Sequence, residues 1–166
     1  MSKPRSPIDP QGGELSPGDD SSAQSPRRSP SVSLGKPNML ISICAIVFGG
    51  SLGCLLRWYL AIRLNALFPQ LPPGTLAANI IGGYFIGVAM AVFLAFPALS
   101  PQWRLLTVTG FLGGLTTFSS FSAEVVTAIL EDRGLWAAAT VGVHVIGSVV
   151  MTLCGVGTVR LVRSFF

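Results

Sequence analysis

Charge is the scarcest material in this chain. Only 11% of its 166 residues are Asp, Glu, Lys or Arg, where soluble domains carry roughly 25%, while half of its residues are apolar. That combination excludes an ordinary water-soluble domain and points to a chain whose solvent is largely lipid. The net charge of +4 is no nucleic-acid footprint, because the basic residues form no single patch. Five of the eleven lie in the first 36 residues and the rest flank apolar runs, where they anchor to headgroups and set topology. Cysteine is scarce too: Cys44, Cys54 and Cys154 are odd in number, sit in apolar segments and make no Cys-x-x-Cys. They read as small packing residues, not as a disulfide framework or metal site. His144 has no second histidine and no nucleophile motif to work with, so an intramembrane enzyme built on His144 and Glu124 is disfavoured. Residues 39–56 contain no acid, which argues against a small proton-coupled exporter with a carboxylate in its first span.

What is present falls into two materials. Residues 1–37 hold seven of the twelve prolines and nine serines but no aromatic residue, so this stretch buries too little apolar surface to offset its ordering entropy and is expected to be a disordered tail. The apolar run after it is too long for the h-region of a secretory signal. Residues 38–163 read as one all-α membrane domain of four spans with short loops, at about 39–57, 75–96, 103–130 and 135–159, with both termini on one side. The first span ends in Arg57-Trp58-Tyr59, an interfacial belt, and Arg57 either snorkels outward or faces inward. The third is expected to be interrupted near Gly113-Gly114. So few embedded residues make a thin bundle, and glycine faces such as Gly49 and Gly53 suggest that it associates with another copy.

Polar residues recur inside these spans at a helical period. Thr75, Asn79, Gly83 and Gly87 form one stripe on the second span, and Thr140, His144, Ser148 and Thr152 form another on the fourth. Taken alone, the stripe on the second span reads as a packing bond between helices; on the fourth, four polar residues in a row on one face favour a hydrated or ion-lined track. On the third span Phe118, Phe121 and Glu124 share a face, flanked by Thr116, Thr117, Ser119, Ser120 and Ser122. Aromatic edges carry partial positive charge and offer an anion something to approach without a full cation. A helix break either serves packing or exposes carbonyls to a cation and amides to an anion. A path of amide, hydroxyl, imidazole and ring edges with no deep fixed charge suits a small, strongly hydrated ion that must pass quickly. A purely structural subunit would have no use for such stripes.

These residues carry a family resemblance. Gly49-Gly50-x-x-Gly53-x-x-x-Arg57, Gly74-Thr75-Leu76-x-x-Asn79-x-x-Gly82 and Gly110-Phe111-x-Gly113-Gly114-x-Thr116-Thr117-Phe118-Ser119-x-Phe121-Ser122-x-Glu124 resemble the CrcB/Fluc fluoride-channel family over residues 39–163. The resemblance implies a passive, fluoride-selective channel in the bacterial cytoplasmic (inner) membrane that lowers cytoplasmic fluoride. It implies an antiparallel, dual-topology homodimer with a broken third helix and two pores along the subunit interface. By that similarity Asn79 coordinates fluoride, Phe118 and Phe121 form an aromatic box beside Thr117 and Ser119, and Thr140, His144 and Ser148 make the polar track. Thr75 and Glu124 stand toward the pore ends, Arg57 is counted with the fluoride pathway, and the carbonyls of Gly113 and Thr116 hold a structural sodium ion at the dimer centre. His144 departs from the hydroxyl or amide often found there. The basic residues pull against balanced dual topology: Arg27, Arg28, Lys36, Arg104, Arg160 and Arg163 fall on the side of the termini against Arg57, Arg63 and Arg133 on the other, which favours termini in the cytoplasm.

Overall fold

The computed structural model describes residues 38–165; the expected disorder of residues 1–37 lies outside the described residues. Every described element is helical. Helix α1 spans Met39–Leu64 and α2 spans Pro73–Ala95. Pro101–Arg104, a π-helical Leu105–Leu112 and Gly113–Leu115 run on from one another as α3. Helix α4 is Phe118–Leu130 and α5 is Gly134–Arg163. Local chemistry sets several of these ends. Pro73 and Pro101 occupy first-turn positions, where a missing N–H costs nothing. Ser100 Oγ accepts from the Gln102 N–H at 3.3 Å as the cap of α3. The α4–α5 turn is a Schellman closure: Arg133 N–H donates to Ala128 O at 2.8 Å and Asp132 N–H to Ile129 O at 3.1 Å. It requires a left-handed residue, and Asp132 fills that position with φ 57°.

Three stretches are long and apolar enough to cross a membrane: Met39–Leu67, Pro73–Ala95 and Gly134–Arg163. The third apolar segment of the sequence is not one of them, because it is divided. The 13 residues of α4 rise about 20 Å at ~1.5 Å per residue, short of a ~30 Å hydrocarbon core. Helix α1 runs on to Leu64, so Arg57, Trp58 and Tyr59 lie within it and do not end it. Trp58 and Tyr59 are exposed, and Arg63 sits over the Tyr59 ring, 5.4 Å from its centroid.

Backbone contact between paired helices sets the architecture. Gly110 approaches Ile46 and Gly114 approaches Gly50, so α1 and α3 advance together and run parallel. Likewise Gly83 approaches Ser148 and Gly87 approaches Thr152, so α2 and α5 run parallel. Glycine is required where the backbones touch: a Cβ on Gly53 would strike Phe111 O, and one on Gly87 would strike Thr152 O. Helix α2 starts where α1 ends, held there by Asn65, whose Oδ1 accepts from the N–H groups of Gly74 at 2.8 Å and Thr75 at 3.3 Å. The core at the junction is small, formed by Ala78, Leu112 and Leu115. Large apolar side chains instead cover the outside, among them Phe48, Leu55, Ile146 and Leu153, as lipid-facing helices require.

Candidate functional site

Between α3 and α4 two residues leave the helix: Thr116 at φ −78°, ψ 152° and Thr117 at φ −148°, ψ 123°. Gly113 and Gly114, where the sequence suggested the interruption, are helical. The reason is packing. Gly114 is small because Gly50 O would lie 2.6 Å from its Cβ, so that glycine serves the α1–α3 seam. The break falls where another side chain takes over the backbone bonds. Asn79 of α2 accepts from the Thr117 N–H through Oδ1 at 2.7 Å and donates through Nδ2 to Thr117 O at 3.0 Å. One amide thus pairs with both halves of Thr117 and holds it extended inside a segment that would otherwise continue as helix. The Thr117 hydroxyl then caps α4, accepting from the Ser120 N–H at 3.2 Å, and Ser119 and Ser120 place their hydroxyls beside it, at 3.2 and 3.1 Å.

The diverted Thr117 N–H would in a continuous helix have bonded Gly113 O. The Gly113 carbonyl therefore loses its helical donor, and Gly113 is exposed. The Thr116 carbonyl is turned off the helix axis by its extended ψ. Gly114 O is taken: Arg57 Nε donates to it at 3.1 Å. Arg57 thus faces inward, against the break, and does not line the groove described next. Among the described residues no three His, Cys, Asp or Glu converge on one point, so the donors suited to a hard cation here are these neutral carbonyl oxygens.

Beside the break lies a cavity of 370 Å³ lined by Asn79, Thr116, Thr117, Phe118, Phe121, His144 and Ser148, with Gly83 and Thr152 at one side. Because α2 and α5 are parallel, their two period-four stripes face each other in register. Asn79 Nδ2 lies 3.1 Å from His144 Nδ1. Thr152 Oγ1 shares its one O–H between Gly83 O at 3.0 Å and Ser148 O at 2.9 Å. His144 is only 3% exposed and stacks on Phe121, ring centroids 4.8 Å apart. Phe118 meets Phe121 edge-on at 5.4 Å and 63°. The two rings differ in environment: Phe121 is 7% exposed, Phe118 78%.

The other sequence-nominated residues stand apart from this cavity. Thr75 Oγ1 donates to Glu124 Oε1 at 2.5 Å, tying α2 to α4 about one turn beyond Asn79 and Phe121. The second Glu124 oxygen is buried without a partner among the described residues. Thr140 is buried, its hydroxyl bonded back to Trp136 O at 2.8 Å, and it does not line the cavity. Ser119 is exposed at the start of α4. Sequence reasoning missed the anchoring role of Asn65, which bonds across nine positions and so carries no periodic signal. It also missed Val145 and Val149, which line the cavity one position on from His144 and Ser148; the stripe itself could have pointed to them.

Comparison with known proteins bears on this arrangement. The family model described as CrcB-like protein, Camphor Resistance (CrcB), matches residues 44–156. The fluoride-specific ion channel FluC of Tolumonas auensis is 57% identical over 125 residues, covering 75% of this chain and 98% of that protein. The protein of the same name from Pseudomonas putida is 60% identical over 120 residues, covering 72% of this chain and 94% of its own length. That from Nitrosomonas europaea is 55% identical over 122 residues, covering 74% and 96%.

Proposed function

The chain belongs to the CrcB-like family, and from that premise we propose that it is a fluoride-selective passive channel, not an enzyme, in the bacterial cytoplasmic membrane. The observation that carries this reading is the identity of 55–60% to proteins named fluoride-specific ion channels over nearly their whole length. The groove supports it. Its polar groups are hydroxyl and imidazole, with ring edges, an amide that holds them in place and no fixed charge, and hydroxyl, imidazole and ring edges can replace water around a small anion without trapping it. Hydrogen fluoride crosses membranes as a neutral weak acid and dissociates inside. The inside-negative potential then drives the anion out through a passive path, so no energy coupling is needed.

The finer arrangement is four spans, with α3 and α4 together making a broken third, in an antiparallel dual-topology homodimer. Its support is that the groove is open on one side and Phe118 is largely exposed, so one copy supplies half a pathway. The Gly113 and Thr116 carbonyls fit a structural sodium ion: they are neutral oxygen donors, one of them released by the break. Two such oxygens are too few to hold a cation by themselves, and a second copy about a two-fold axis brings the number to four. The proposed anion path runs past Asn79, Phe118, Phe121, Thr117, His144 and Ser148, with Thr75 and Glu124 toward one end. Parallel pairing puts Arg104, Arg160 and Arg163 at one end of the bundle, with Arg63 and Arg133 at the other. A topology assay with tags at both termini measures whether that bias allows both orientations.

The deciding experiment is anion efflux from liposomes containing the purified full-length protein. Fast fluoride efflux with negligible chloride efflux is expected. Correctly assembled protein that passes no fluoride, or passes chloride equally, would end this reading.

A further inference from the structure

Asn79 has one carbonyl oxygen and two N–H donors to spend. The Thr117 peptide dictates how the amide is oriented. Its N–H requires the oxygen, at 2.7 Å, and its carbonyl requires the nitrogen, at 3.0 Å. A flipped amide would set donor against donor and acceptor against acceptor. The remaining N–H of Asn79 faces His144 Nδ1 at 3.1 Å. A donor there needs an acceptor, so Nδ1 is unprotonated and the neutral ring carries its proton on Nε2. An imidazolium would bring N–H against N–H and is disfavoured by the same geometry.

The consequence falls on the other ring nitrogen. His144 Nε2 is buried and has no partner among the described residues. It belongs to a ring that lines the cavity and is stacked on Phe121. A buried donor without an acceptor is costly, whereas both Asn79 donors are already committed. We propose that Asn79 is a positioning residue whose amide fixes His144 as the Nε2–H tautomer, and that this N–H is the hydrogen-bond donor presented to the anion in the groove. The inference rests on the anion-channel reading and assigns the donor within it. A neutral, oriented N–H favours a compact, strongly accepting anion over a larger, diffuse one, and adds no net charge to hold the ion back.

The chain contains one histidine, so ¹⁵N labelling of histidine in the full-length protein reports a single ring. The expected spectrum is that of a neutral Nε2–H imidazole whose Nε2 resonance moves on titration with sodium fluoride and stays still with sodium chloride. In Asn79→Asp the carboxylate accepts from Nδ1–H, so the tautomer reverses and the fluoride-induced shift disappears. In liposomes His144→Leu is expected to lower fluoride efflux by about tenfold or more, the loss of one hydrogen bond to a charged group. His144→Gln, which keeps an N–H donor, retains a larger share. An Nδ1–H tautomer in the wild type, an Nε2 resonance unmoved by fluoride in protein that conducts it, or His144→Leu conducting like wild type overturns the proposal. Wild-type protein that conducts no fluoride overturns the channel reading instead, and the tautomer and titration on the same sample still decide the role of Asn79.

Discussion

The two pieces of the divided third segment, α3 and α4, are held by different physics. Helix α3 lies against α1 through bare backbone: Gly49, Gly53, Gly110 and Gly114 let main chains touch along the seam. Helix α4 starts from a residue held by an amide and a hydroxyl, Asn79 and its own Thr117 cap, beside an open cavity. The same short run of sequence, Gly113 to Phe118, contains the end of one regime and the start of the other. Within it Gly114 is a packing residue and asparagine, from another helix, is what breaks the span. Polarity in a membrane is tolerated where each group has a partner, and His144 Nε2, on a ring that lines the groove, is one of the few buried groups without one among the described residues.

This division is open to direct attack. The largest effect is expected at the seam. Gly53→Val drives a side chain into Phe111 O, which cannot yield without moving α3, and should cost about 3 kcal/mol or more, read as lost folded yield and a lower Tm in detergent. Gly113→Ala is the control: its nearest obstacle is Val108 O at 3.5 Å, and Ala favours a helix by roughly 0.5 kcal/mol over Gly. Equal damage from the two would dissolve the distinction between seam and break.

Asn79→Leu should come next. It strands the N–H and C=O of Thr117, at about 1–3 kcal/mol for each buried group, and should abolish fluoride efflux while leaving the α1–α3 seam protected in hydrogen exchange. The phenylalanines separate stability from transport. Phe121→Ala empties a buried position and should cost about 3 kcal/mol, whereas Phe118→Ala, at an exposed ring, should cost under about 1 kcal/mol yet still cut efflux. Matched thermal melts and efflux rates test the pair; a Phe118 variant with wild-type flux would remove that ring from the path. The smallest effect is expected far from both regions. Asp132→Gly relieves a left-handed backbone position and should add about 0.5–1 kcal/mol with efflux unchanged.

By itself the sequence determined that the chain is a helical membrane protein, since scarce charge and long apolar runs leave few alternatives. It also marked the two polar stripes, because side chains four apart must share a helix face whatever the helix meets. The Gly-Gly-x-Thr-Thr-Phe-Ser run announced an interruption within a few residues of where one occurs. The tertiary structure alone decided which members of each stripe do what. Thr140 is buried with its hydroxyl on its own helix backbone, while His144, Ser148 and Thr152 line the cavity; period cannot tell these apart, since what covers a position depends on the neighbouring helix. Arg57, open in either direction on spacing, turned inward because Gly114 O awaited a donor. The break near Gly113-Gly114 moved to Thr116 and Thr117 for the same kind of reason: a glycine permits a helix to end, but the bond that ends it comes from Asn79, 38 positions away in the chain and adjacent only after folding.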